Sequence, residues 1–154
     1  MAYYMEMEGN EVGLAWIFNI NRAVGPNLGS RKPDVMLVQH ALNTVMVQLG
    51  LKDKSGKDIH YLTRNGICDA TTAEAIAAYQ RNILERKKFV KADGTVGPSS
   101  RSGWTAHGDA QFTIVYLNRD HRDIQGKMMD EKDFPLPLQA DIKANAHLGK
   151  LPPK

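Results

Sequence analysis

One cysteine, Cys68, stands among the 154 residues. That excludes a disulfide within the chain and a zinc site built on several thiolates, and it suits a reducing compartment during synthesis. Long apolar runs are missing as well. Pieces such as GLAWIF at 13–18 fall far short of the ~20 residues that a membrane-spanning helix needs, so no span is expected. The opening MAYYMEMEGNE is acidic where a secretory leader is basic, and the apolar piece after it is too short for a leader's core. The expectation is therefore synthesis in the cytoplasm without a signal peptide. Charge is close to balanced: 20 Lys and Arg against 17 Asp and Glu leave +3. So small a bias does not require nucleic acid, and none is expected as a partner. The densest basic stretch, RNILERKKFVK over 81–91, lacks aromatic interleaving and reads as a solvated helix end whose cations suit the C-terminal dipole.

What is present is a series of amphipathic segments punctuated by glycine turns. Residues 12–24, with Trp16 and Phe18, read as a strand or an irregular packing segment. VGPNLGSRKP is a loop. From Asp34, a plausible N-cap, Val35, Val38, Leu42, Val45 and Leu49 recur at helical spacing, and Gly50 suits the C-terminal cap. After a polar connection, Asn65-Gly66 forms a turn. Thr71 and Glu74 have capping-box spacing. Ala75, Ile76, Tyr79 and Ile83 then continue an apolar stripe to about 88. The two striped helices are expected to pack on each other. ADGTVGPSS is a second glycine turn, so two segments follow one plan: helix, polar stretch, then Asn-Gly or Asp-Gly and a β-branched residue. Residues 109–122 read as a helix capped by Asp109, and a short last helix is expected around 138–148.

Three blocks carry a resemblance. DVMLVQHALN supplies Asp34, Val35, Val38, Gln39 and Leu42. NGICDATTAEAIAAYQ supplies Asn65, Gly66, Ile67, Thr72, Ala75, Ile76, Tyr79 and Gln80, with Cys68 and Asp69 where Phe and Gly are usual. ADGTVGPSS supplies Asp93, Gly94, Val96, Gly97 and Pro98. Together they resemble the peptidoglycan-binding domain-like family, small three-helix modules of cell-wall hydrolases, over residues 34–100. The lead-in VGPNLGSRKPDV and TIVYLN at 113–118 are similar to a bacterial and phage branch of that family. The resemblance implies a mainly α fold, a small three-helix bundle over 31–122 with an N-terminal extension (1–30) packed on it and a C-terminal extension (123–154) bearing a short helix. It also implies a non-catalytic module that binds peptidoglycan or muropeptides without a cofactor or a metal.

The implied ligand-binding residues are Gln39, Arg64, Asn65, Gly66, Asp69, Thr72, Tyr79 and Gln80, around a groove between the two main helices and the 65–72 turn. Tyr79 either stacks on a ligand or fills the core, and Gln39 and Gln80 either bind a ligand or tether backbone. Arg64 is a candidate partner for muropeptide carboxylates. With no leader, delivery to the periplasm or wall would follow a non-classical route. A second reading is an adaptor or cargo protein of a phage particle or a contractile secretion machine. A third is a small wall hydrolase, its candidate metal or acid–base residues being His107, Asp109, Asp120, His121 and Asp123, and its candidate nucleophile Cys68.

Overall fold

The computed structural model describes residues 1–9, 12–105, 108 and 110–150. Its centre is α1 (Lys32–Leu49), which touches every other principal element: α2 (Ala70–Glu85), α3 (Thr113–Gln125), α4 (Leu136–Ala144), and the strands β1 (Ala2–Glu6) and β2 (Trp16–Ile20). Such centrality follows from composition. Val35, Leu37, Val38, Ala41, Leu42, Val45 and Met46 are all fully buried, so apolar positions spread around most of the cylinder. Gly50 ends the helix in the left-handed conformation at φ 64°, its N–H returning to Met46 and Val47.

The strands pair antiparallel, with Ala2 opposite Ile20 and Met5 opposite Ile17. Among the described residues, β2 pairs with no strand other than β1. Asn118 of α3 reaches β2 instead: its Oδ1 accepts from the Phe18 N–H at 2.9 Å and its Nδ2 donates to the Phe18 carbonyl at 3.0 Å. A buried strand edge is thereby satisfied by one carboxamide. The C-terminal segment returns to the same sheet. Glu6 N–H donates to the Gly149 carbonyl, and Arg101 bridges the carbonyls of Glu6 and Gly149 at 2.9 and 3.0 Å.

These observations correct the expected mainly α three-helix bundle. Among the described residues, four α-helices and a two-stranded sheet share one core, with Ile17 and Ile20 from the sheet and Leu138 and Ile142 from α4 in the same cluster as the central helices. Helical stripes are readable one segment at a time, whereas AYYME forms a strand only because WIFNI lies beside it. Helix starts shift for a similar reason. α1 begins at Lys32 with Pro33 in its first turn, and Arg31 gives no side-chain cap. Asp34 is a buried first-turn residue whose carboxylate lies 3.0 Å from the Met1 amine. Its carboxyl is pushed up by burial, against the lowering pull of that amine. α2 is capped by Asp69, which accepts from the Thr72 N–H at 2.8 Å, rather than by Thr71 and Glu74. α3 starts at Thr113 after Phe112, and the expected cap Asp109 lies outside the described residues.

Candidate functional site

The turn at 65–69 is built around one side chain. Gln39, fully buried on α1, accepts from the Gly66 N–H at 3.0 Å. Its amide nitrogen lies 2.9 Å from the Ile67 carbonyl, 3.1 Å from Thr72 Oγ1 and 3.2 Å from Asn65 Oδ1. Asn65 closes the turn on itself by accepting from the Ile67 N–H at 3.0 Å. Gly66 sits at φ 76°, and a Cβ there would fall 2.2 Å from Lys32 Cγ, so both conformation and space demand glycine. Gln39, Asn65, Gly66, Asp69 and Thr72 are thus brought together, with their polar atoms committed to one another.

The same device recurs one helix later. Gln80 of α2 accepts from the Gly94 N–H at 2.9 Å, and its amide nitrogen donates to the Thr95 carbonyl at 2.8 Å and to Thr113 Oγ1 at 3.0 Å. Asp93 closes its turn by accepting from the Thr95 N–H at 3.0 Å. Glutamine, glycine turn and following-helix threonine correspond term by term, so the shared plan in the sequence is a shared hydrogen-bond unit in space. Asn43 brackets Leu62, and Asn19 brackets Ser99, by the same donor–acceptor pairing. Residue type alone did not single out these asparagines, because each partner is a backbone group distant in sequence.

Tyr79 and Arg64 point elsewhere. Tyr79 is fully buried, and its hydroxyl donates to Asp120 at 2.5 Å. Burial and the Asp120 charge push its phenol well up. Asp120 also holds Arg86 through two bonds, of 3.0 and 2.7 Å. Arg64 donates to His40 Nδ1 at 3.0 Å and to the Asp133 carbonyl at 2.8 Å. Because a guanidinium only donates, His40 Nδ1 must be unprotonated, and the neutral ring carries its hydrogen on Nε2. Burial first, then Arg64 and His121, pull His40 down to about 4, with Asp133 opposing. The folded value lies below the ordinary ~6.5, so the neutral ring's contribution is complete above pH 6.5. It fades as pH falls towards 4, a loss of about 3 kcal/mol. His40→Met is expected to flatten the decline in stability over that interval by about this amount. Urea midpoints at pH 7 and 4.5 check it, and parallel losses in both proteins would contradict it.

Among the described residues no three His, Cys, Asp or Glu side chains gather as a metal set; His107 and Asp109 lie outside them. His121 is buried, and burial, then the Lys127 charge, pull its ring below the ordinary imidazole range, with Asp133 and the Met128 backbone opposing. Asp120 is occupied by Tyr79 and Arg86, and Asp123 by exposed Arg122. The half-buried Cys68 thiol is pushed up by burial and by Asp69, away from the nucleophilic thiolate.

Open space lies beside each glycine turn. One cleft runs between Gly25–Ser30 and Gly66–Cys68, with Leu28 and Ile67 exposed at its rim. A second, of about 200 Å³, lies between the 91–98 turn and the start of α3 and includes Lys91, Gly97, Gln111 and Thr113. The sequence reading missed this second one, because it placed the start of the bordering helix at 109 and the helix begins at Thr113. A third cleft, between the end of α1 and the middle of α2, is lined in part by Arg81 and Glu85. Comparison with family models, curated proteins and solved structures finds no match for this chain.

Proposed function

We propose that the protein is a non-catalytic binding module for cell-wall peptidoglycan or its fragments. The observation that carries this reading is the repeated turn. Two glycine bends, each tethered by a buried glutamine, border two clefts whose turn walls are held by hydrogen bonds within the fold. Preorganised walls lower the ordering cost of binding. Supporting it are the three sequence blocks that resemble wall-binding modules, two of which supply both locking glutamines and all three of which fall on these helices and turns.

The second reading, an adaptor or cargo of a phage particle or contractile secretion machine, is favoured by large apolar side chains held outward. Phe89 is 71% exposed and Leu136 77%. Co-sedimentation with purified sacculi at low salt separates the two. Retention on sacculi, with no soluble sugar or peptide released, is the expected outcome. A protein that stays in the supernatant overturns the wall reading, and a stable protein partner recovered instead supports the second.

A further inference from the structure

The end of α2 holds one aromatic ring out in water. Arg86 is the C-cap, and Lys87 follows in the left-handed conformation at φ 59°. The Lys87 N–H returns to the Leu84 carbonyl at 2.9 Å, and the Lys88 N–H to the Ile83 carbonyl at 3.2 Å. This paired closure usually has glycine where Lys87 stands. A lysine there carries backbone strain that glycine would not. The closure also frequently packs an apolar side chain from the position of Lys88 back onto the helix. Here the apolar residue comes one step later, as Phe89, and it is 71% exposed.

The fold keeps the ring there. The Phe89 carbonyl accepts from the Gln111 N–H at 3.2 Å and from the Tyr116 hydroxyl at 3.0 Å. Ile83 before the bend and Val90 after it are both buried. The backbone is thus tied to the core on each side of an exposed tip. Lys87, Lys88 and Lys91 lie within two residues of Phe89, and all three are exposed. Lys87 and Lys88 form no ion pair among the described residues, while Lys91 is 3.9 Å from Asp93. Arg86 is engaged with Asp120, and Glu85 is the one acidic residue between 84 and 91. The tip therefore joins a fixed apolar ring to a surplus of positive charge.

We propose that this tip docks on an anionic lipid surface, with Phe89 entering below the headgroups and Lys87, Lys88 and Lys91 meeting lipid phosphates. Both halves of the patch are used. An aromatic ring gains by leaving water for the boundary of headgroups and acyl chains. Lysines beside it keep their charge at headgroup depth and are drawn to an anionic leaflet. A folded protein partner needs about 1,000 Å² of complementary surface, far more than one ring and its rim supply. A bilayer takes a small tip without matching its shape. Among the described residues no helix is long and apolar enough to cross a membrane, so the contact is peripheral. The inference goes beyond the wall-binding reading and does not depend on it.

The full chain is sedimented with vesicles of phosphatidylglycerol and phosphatidylcholine in equal parts, and with vesicles of phosphatidylcholine alone. Affinity should be at least tenfold higher for the anionic vesicles, and it should fall as salt rises from about 0.05 M to about 0.3 M. Lys87→Gly separates binding from folding. It removes a charge and puts glycine in a conformation that glycine favours, so its melting temperature should equal or exceed that of the unaltered protein. Its affinity for the anionic vesicles should still fall about fivefold, the effect of one lysine near such a surface. Phe89→Ser, at an exposed position, should lose at least tenfold with its melting temperature unchanged. Equal binding to both kinds of vesicle, no binding to the anionic ones, or full affinity in either variant overturns the proposal. Equally tight binding to poly-glutamate that survives Phe89→Ser also overturns it, because the patch then reads charge on a polypeptide. Sacculus retention without vesicle binding overturns this inference and leaves the wall reading standing. Vesicle binding without sacculus retention does the reverse.

Discussion

Gln39→Leu is expected to lower stability by about 4 kcal/mol, a fall in melting temperature of about 10 °C for a chain of this length. Leucine keeps most of the volume and deletes every bond. The Gly66 N–H, the Ile67 carbonyl and the Thr72 hydroxyl are left without their buried partner. Each orphaned group costs about 1–3 kcal/mol, and the costs do not add fully because the turn relaxes. Gln39→Glu does not rescue it, since a second oxygen then faces the Ile67 carbonyl. Gln80→Leu deletes the equivalent bonds at a turn that is only partly buried. Its cost should be smaller, about 2 kcal/mol, because water reaches the freed groups. Urea melts of the two variants give the ranking, and a Gln80 variant less stable than the Gln39 variant would contradict the tether account.

The other large effect lies between α2 and α3. Arg86→Met removes both bonds to Asp120, whose side chain is 8% exposed, and leaves that carboxylate with the Tyr79 hydroxyl as its remaining partner among the described residues. Removing one partner of a buried pair costs about 3–5 kcal/mol, mostly the penalty of the stranded charge. Arg86 is itself partly exposed, which places the expected value at the lower end, about 3 kcal/mol. Replacing both residues, Arg86→Met with Asp120→Leu, should recover part of the loss, because no charge is then stranded. A denaturant double-mutant cycle reads this directly. A double variant that loses the sum of the two singles would show that the pair acts as two independent contacts. Tyr79→Phe, which deletes only the hydroxyl, should lose about 1 kcal/mol.

Much of the central helix was legible in the sequence. The stripe from Val35 to Leu49 and the stop at Gly50 depend on spacing and on glycine's freedom, both local properties. The two glycine turns were legible on the same ground, as was their repetition. What held those turns was not, because a glutamine reads the same whether it faces solvent, ligand or backbone. Gln39 and Gln80 were left open between tether and ligand contact, and the structure commits both to backbone and threonine oxygens inside the fold. β1 escaped notice because its partner strand lies further along the chain, and pairing is not written in either segment alone. Asp34 looked like a cap because aspartate before an apolar stripe usually is one. Its burial against the Met1 amine depends on where the opening strand lies. The start of α3 was displaced in the same way, since FTIVY has the composition of a strand and the N-cap of the helix is Phe112 rather than an acidic residue.

Amide hydrogen exchange at Gly66 and Gly94 bears most directly on the claim that buried glutamines hold both turns rigid. Neither N–H belongs to a helix or strand, and each donates to a glutamine side chain at 3.0 and 2.9 Å respectively. If the tethers set the clefts, both amides should exchange slowly, at rates approaching those of the α1 interior, and Gln39→Leu should release Gly66 selectively. Exchange of Gly66 and Gly94 at the rate of an open surface loop in the unaltered protein would contradict the account.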